Sequence, residues 1–195
     1  AGRYTPFPLL GGKAGATYSW STMMWVFGYG SLMWDKWETA HGCTRKELAD
    51  LTGHCRVFNK ASIKNWGTKD APCLTLNLSK KDAGVCRGIA FEFPDNKKEE
   101  VLTYLKKREG EGFVLRKISV LMQGTTEVSA IVSIYEGQNL INAKAVSEVA
   151  SCVAKAMGTK GSCLEYVKGV AEKLTELGID DPVVTEFWGA VKADA

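Results

Sequence analysis

The chain has 195 residues, 45% of them hydrophobic, and a formal net charge of +3. This fits one compact domain with its own core and gives no reason to expect nucleic acid or another polyanion as partner. Six cysteines, at 43, 55, 73, 86, 152 and 163, form neither Cys-x-x-Cys pairs nor a cluster with His41 or His54, so no metal or other cofactor is implied, and scattered reduced thiols in a cytoplasmic protein are the simplest reading.

Residues 1–23 carry no acidic residue and contain a glycine pair and two early prolines. They lack the apolar core of a secretion signal and read as vector-derived sequence ahead of a start at Met23 or Met24, with a basic organellar leader as the alternative. Residues 24–195 then form the single domain. No stretch approaches the roughly 20 apolar residues that span a bilayer, so no membrane association is expected.

The segment from Met24 to Trp34, MWVFGYGSLMW, reads as a buried strand running into a glycine-hinged turn. Gly28 and Gly30 are expected to adopt backbone angles closed to other residues, turning the amides of Tyr29 to Leu32 into one anion-binding concavity. The commoner meaning of Gly-x-Gly is an ordinary tight turn. A dinucleotide fingerprint is excluded because Met33 stands where the third glycine belongs, and no Gly-Lys-Ser/Thr loop is present. Tyr29 and Met33 also exclude a Gly-x-Ser-x-Gly nucleophile elbow.

Next, Thr44 and Glu47 have the spacing of a capping box and predict a short helix to Leu51, ended by Gly53. Arg56 to Ala61 reads as a strand, and the polar loop Ser62 to Pro72 is expected to line a pocket. Cys73 to Leu78 and Val85 to Phe93 alternate with period two, and Asp82-Ala-Gly84 reads as the hairpin turn between them. Asn96 and Glu99 predict a capped helix presenting Val101, Leu102 and Leu105 and ending at Arg108-Glu109-Gly110. Two further strands follow, Phe113 to Met122 and Val128 to Tyr135.

Three helices close the chain: 142–157 stopped by Gly158, 162–177 opened by a Ser162/Glu165 capping box and stopped by Gly178, and Pro182 to about Lys192 behind Asp181. In the second, Leu164, Val167, Ala171, Leu174 and Leu177 draw an apolar stripe that leaves Tyr166 outside it. An ordinary surface tyrosine is one meaning of that position, and a ligand contact from the first turn is the other. Short strands followed by helices argue for an α+β domain, a strongly bent mixed sheet or open barrel with packed helices.

Three pieces carry a family resemblance: Phe27-Gly-Tyr-Gly-Ser-Leu32, Tyr104-Leu-Lys-Lys-Arg-Glu-Gly110, and Glu165-Tyr166 heading a late helix. Together they resemble the ChaC-type, glutathione-specific γ-glutamylcyclotransferases, over Met24 to about Lys192. The resemblance implies the same α+β architecture. It further implies a cofactor-free, lyase-type enzyme whose small-molecule substrate is held by the Gly-Tyr-Gly-Ser-Leu backbone and whose acid is Glu109. The expected site is then Glu109 as catalytic residue, with Gly28, Tyr29, Gly30, Ser31, Leu32, Met33 and Tyr166 as substrate-binding residues. Two features depart from the family pattern. Asn65-Trp66-Gly67-Thr68 stands where ChaC-type proteins often have Asp-His-Arg-Gly-Thr, and Glu111 puts a second acid beside Glu109.

The chemistry is economical in residues. A γ-glutamyl compound cyclises when its own α-amine attacks the γ-carbonyl, giving 5-oxoproline and expelling the next amine. Positioning supplies much of such a reaction, and one carboxyl serves as base and then as acid. Glu109 closes a helix, whose negative dipole end raises a carboxyl pKa, while Arg108 acts in the opposite sense. The other readings are a cyclotransferase for other γ-glutamyl amino acids or γ-glutamylamines, and a non-catalytic module binding γ-glutamyl or acidic metabolites.

Overall fold

The computed structural model describes residues 23–123, 126–141, 153 and 155–194. The 1–22 segment and most of the 142–157 helix lie outside them.

Five strands close into a barrel: β1 Met23–Gly28, β2 Arg45–Ser62, β3 Cys73–Pro94, β4 Phe113–Met122 and β5 Thr126–Tyr135. Around the barrel the order is β1-β3-β2-β4-β5. Neighbours pair antiparallel except β1 and β5, whose parallel pairing from Trp25↔Ala130 to Phe27↔Val132 completes the ring. The expected bent sheet is therefore closed rather than open. Met24 to Phe27 is apolar without alternation because β1 sits between two neighbours with both faces covered, and all four residues are buried.

Two sequence expectations are corrected by the strand register. The helix predicted from Thr44 to Leu51 is the first part of β2. Ala49 and Leu51 are buried while Leu48 and Asp50 are less so, and this period-two burial outweighs a local capping signal. Gly53, at φ 71°, sits in the break in the β2–β3 register rather than ending a helix. Likewise Asp82-Ala-Gly84 makes no hairpin. Lys80 pairs with His54 and Val85 with Thr52, so the turn residues bulge out of one long strand that stays on the same partner.

Helix α1 is the single turn Trp37–Ala40, and α2 spans Lys98–Glu109. The second begins after a 3-10 turn at Asp95–Lys97 and has no side-chain N-cap, so the Asn96/Glu99 box does not form. Val101 and Leu105 are fully buried, and Leu102 packs at the margin. Gly110 at φ 77° ends the helix. A small hairpin, β6 Met157–Gly158 and β7 Gly161–Ser162, leads into α3 Cys163–Glu176, followed by α4 Pro182–Asp194. The Ser162/Glu165 capping box is present, and Asp181 Oδ1 accepts the Val184 N–H at 3.2 Å. Among the described residues no helix is long and apolar enough to cross a membrane.

The expectation of reduced thiols is also corrected. Cys73 at the start of β3 and Cys163 at the start of α3 are joined in a disulfide, with Cα atoms 5.3 Å apart. Ninety residues separate them in sequence, so spacing carries no signal of the pairing. Cys43, Cys55 and Cys86 are unpaired. Disulfides typically stabilise by about 2–4 kcal/mol. The Cys73→Ser/Cys163→Ser protein should accordingly melt on the order of 5–15 °C lower than the parent under oxidising conditions. Identical melting curves would show that the bond contributes nothing.

Candidate active site

The barrel's β1 and the end of α2 converge on a cavity of about 320 Å³, at the small end of ligand pockets and suited to a small molecule. Its wall includes Tyr29, Gly30, Ser31 and Leu32 from the turn after β1, Arg108 and Glu109 from α2, and Tyr166 from α3. Residues about 80 positions apart in sequence thus face one space. Gly28 and Met33 are not among the lining residues. Gly28 pairs with Ile89 in the β1–β3 ladder, and the Met33 Sδ lies 4.0 Å from the Arg56 guanidinium in the interior.

Three donors fix the turn, two of them buried. Arg56 Nε donates to the Tyr29 carbonyl at 2.8 Å, Trp37 Nε1 to the Leu32 carbonyl at 3.0 Å, and Arg108 to the Ser31 hydroxyl at 3.1 Å. The Tyr29 hydroxyl in turn donates to the Ser133 carbonyl at 2.8 Å. Ser31–Met33 form one 3-10 turn closed by Met33 N–H on the Gly30 carbonyl. This leaves its first N–H groups without an intrahelical acceptor. The expectation that Gly28 and Gly30 take left-handed angles is corrected: neither has positive φ, and Gly30 is at −136°. Packing does not by itself require glycine at position 30. A Cβ there would stand at ordinary contact distance, 3.9 Å, from the Tyr166 hydroxyl and the Leu76 side chain, and would project at the cavity wall.

The second motif is explained by its contacts. Tyr104 stacks on Trp37 with centroids 5.4 Å apart, and its hydroxyl accepts a hydrogen bond from Arg108 one helical turn on, at 2.9 Å. Arg108 also pairs with Asp35, so one guanidinium ties α2 to both ends of the turn. Glu109 follows at the helix end, its side chain 16% exposed and its carboxylate 3.9 Å from Arg108 Nε. Burial pushes the Glu109 pKa up, opposed by Arg108, Lys60 and Lys160 and assisted by Asp35. Desolvation, rather than the helix dipole, is the leading cause. Glu111 is exposed in the following turn and does not line the cavity.

Tyr166 differs from the sequence reading in orientation. It is 4% exposed and belongs to the buried face of α3 with Cys163, Val167, Val170 and Leu174, a stripe rotated by about one position from the one expected. Its hydroxyl accepts the Leu76 N–H at 3.0 Å, leaving its own hydrogen for another acceptor. Burial raises its pKa, which favours the protonated, hydrogen-bond-donating form. Tyr166→Phe should reduce catalytic efficiency by at most about tenfold and lower the melting temperature, because the Leu76 amide loses its acceptor. Complete loss of turnover in the folded variant would contradict a supporting role.

Several lining residues were not named from sequence: Trp34, Asp35, Lys60, Ser133 and Lys160. The Ser133 hydroxyl is buried without a hydrogen-bond partner. The loop after β2 does line the cavity, through Ser62, Asn65 and Trp66. Trp66 lies 5.3 Å from the Tyr166 ring, and the β6–β7 hairpin clamps the loop from behind. Lys160 N–H donates to the Asn65 carbonyl at 2.8 Å, and a Cβ on Gly158 would come within 2.4 Å of the Asn65 backbone. That close approach requires glycine.

A closed barrel with a largely buried carboxyl and the Tyr29–Leu32 turn lining one cavity of small-molecule size has the form of a small-molecule site. Residues 24–194 match the family ChaC, ChaC-like protein, and the chain belongs to that family. It is 30% identical over 178 residues to glutathione-specific gamma-glutamylcyclotransferase 1 of Danio rerio, covering 87% of this chain and 89% of that one. It is 30% identical over 174 residues to the glutathione-specific gamma-glutamylcyclotransferase of Escherichia coli, covering 87% and 73%. The fold matches the crystal structure of the yeast gamma-glutamyl cyclotransferase specific to glutathione, with a TM-score of 0.80 at 21% identity over 88% of this chain and 96% of that one.

Proposed function

We propose that the chain is a γ-glutamylcyclotransferase that converts glutathione to 5-oxoproline and Cys-Gly. The observation that carries this reading is the Glu109 carboxyl, largely buried and raised in pKa, in one cavity with the Gly30–Leu32 turn. The turn's backbone takes the substrate's α-carboxylate, and Tyr166 orients the γ-glutamyl group. Glu109 accepts a proton from the α-ammonium. The freed amine attacks the γ-carbonyl, the carboxyl returns its proton to the departing cysteine nitrogen as the tetrahedral carbon collapses, and the ring nitrogen gives up its extra proton through the re-ionised Glu109 to the released amine, which leaves as an ammonium. The amide bond to cysteine breaks as the lactam bond forms, so no external nucleophile enters.

The relatives' names support glutathione as substrate. Action on other γ-glutamyl compounds, or binding without turnover, are the competing outcomes. A cytoplasmic location, with neither nucleic acid nor membrane as partner, is part of the proposal. The buried Cys73–Cys163 bond favours an oxidising compartment instead, and the state of these two cysteines in cells alkylated at harvest decides between them.

Incubation with glutathione tests the function. The proposal expects equal amounts of 5-oxoproline and Cys-Gly. Release of free glutamate would mean that water is the nucleophile, and binding without product would mean a non-catalytic module.

A further inference from the structure

The cavity holds more positive charge than the reaction just described uses. Arg108 is spent on Asp35, Tyr104 and Ser31. Lys60 and Lys160 also line the cavity, and among the described residues neither has a salt-bridge partner. Lys60 stands on β2 next to the register break after Phe58, with its ammonium 5.2 Å from the Phe113 ring centroid and 5.4 Å from that of Tyr135. Lys160 rides on the β6–β7 hairpin, whose backbone is bonded to Lys64 and Asn65. The wall between them, Asn65 and Trp66, brings no charge.

Holding an ammonium in such a site is unfavourable without an anion. Burial lowers the Lys60 pKa, and Glu109 is the charge that offsets this. Both lysines act on Glu109 in the same sense, favouring its ionised form. Glu109 is nevertheless a single carboxylate facing two ammonium groups, and it becomes neutral when it holds the proton in transit. A second anion delivered by the substrate completes the balance.

We infer that Lys60 and Lys160 bind a carboxylate on the leaving-group side of the γ-glutamyl bond, selecting γ-glutamyl peptides and amino acids over γ-glutamylamines. This rests on the proposed cyclotransferase reading and names the substrate class of that site. The α-carboxylate occupies the Gly30–Leu32 turn and the second carboxylate the lysine wall, with the scissile bond between them at Glu109. An uncharged leaving group leaves the partly buried Lys60 ammonium and the exposed Lys160 at the cavity rim without their second anion, and discrimination follows chiefly from the cost at Lys60.

The test compares glutathione with its C-terminal amide, which differs by one charge, and with γ-glutamyl-methylamine. 5-Oxoproline is the readout. The parent should turn over glutathione about 10- to 100-fold more efficiently than the amide, through KM more than through kcat. In Lys60→Met and Lys160→Met the ratio of the two efficiencies should fall towards one, and Lys60→Arg should restore most of it. Equal efficiency of the parent on glutathione and its amide overturns the inference while leaving the cyclotransferase reading intact, and this result needs no variant to fold. Absence of 5-oxoproline from all three compounds overturns the cyclotransferase reading itself. A full preference for glutathione in both folded methionine variants would show that the lysines do not read the carboxylate.

Discussion

Glu109→Gln is expected to abolish most turnover, by about 10²- to 10⁴-fold in kcat, while leaving glutathione affinity within a few-fold. The amide has the size of the carboxyl but cannot accept and return a proton. Glu111→Gln, measured alongside, should keep near-parent activity because Glu111 is exposed beyond the helix end. The parent's efficiency should fall on the acid side as Glu109 is protonated, with that limb above the ordinary carboxyl range because burial raises the pKa. Stability supplies an independent check. A raised folded-state pKa means that the native state holds this proton more tightly than the unfolded state. The stabilising contribution is full below the unfolded pKa and is lost as pH rises through the folded one. At pH 7–8 Glu109→Gln should melt no lower than the parent, and any gain should shrink as the pH is lowered. A variant that is inactive because it is unfolded would contradict the assignment, as would one with parent-like turnover.

Arg56→Met should lower stability more than Tyr166→Phe or either glutamate substitution. The Arg56 side chain is fully buried, pairs with Asp181 at 2.8 Å, and donates to the Tyr29 and Arg87 carbonyls at 2.8 and 2.6 Å. Methionine fills similar space but leaves the Asp181 carboxylate, itself only 10% exposed, without its partner, together with two carbonyls. Breaking a buried pair from one side costs about 3–5 kcal/mol, or on the order of 6–20 °C in melting temperature for a domain of this size. Because Arg56 anchors both the turn after β1 and the start of α4, the folded fraction should also lose activity. A fall of less than about 3 °C in a thermal melt would show that the pair is not structural. The Arg56–Asp181 contact joins residues 125 positions apart, and no local pattern announces it.

What the sequence reveals of this fold depends on whether the signal is local. Apolar continuity at Met24–Phe27, the glycine after Glu109 and the Ser162/Glu165 box are read over a few residues, and the corresponding elements are present. Thr44/Glu47 and Asp82-Ala-Gly84 are also local signals. They mislead because β2 and β3 pair over most of their length, and the ladder overrides turn and cap preferences. The site divides the same way. Glu109 and the Gly-Tyr-Gly-Ser-Leu turn are legible through motifs, whereas Ser133, Lys60 and Lys160 reach the cavity only through strand register and a hairpin clamp. The Cys73–Cys163 bond belongs to this second group.

A crystal structure of the Glu109→Gln protein with bound glutathione is the most direct test of the central claim. The substrate's α-amine should lie within hydrogen-bond distance of the side chain at position 109, with its α-carboxylate on the Gly30–Leu32 turn and its γ-carbonyl within reach of that amine. Glutathione bound with its α-amine directed away from position 109, or its γ-carbonyl out of reach of the amine, would contradict the account.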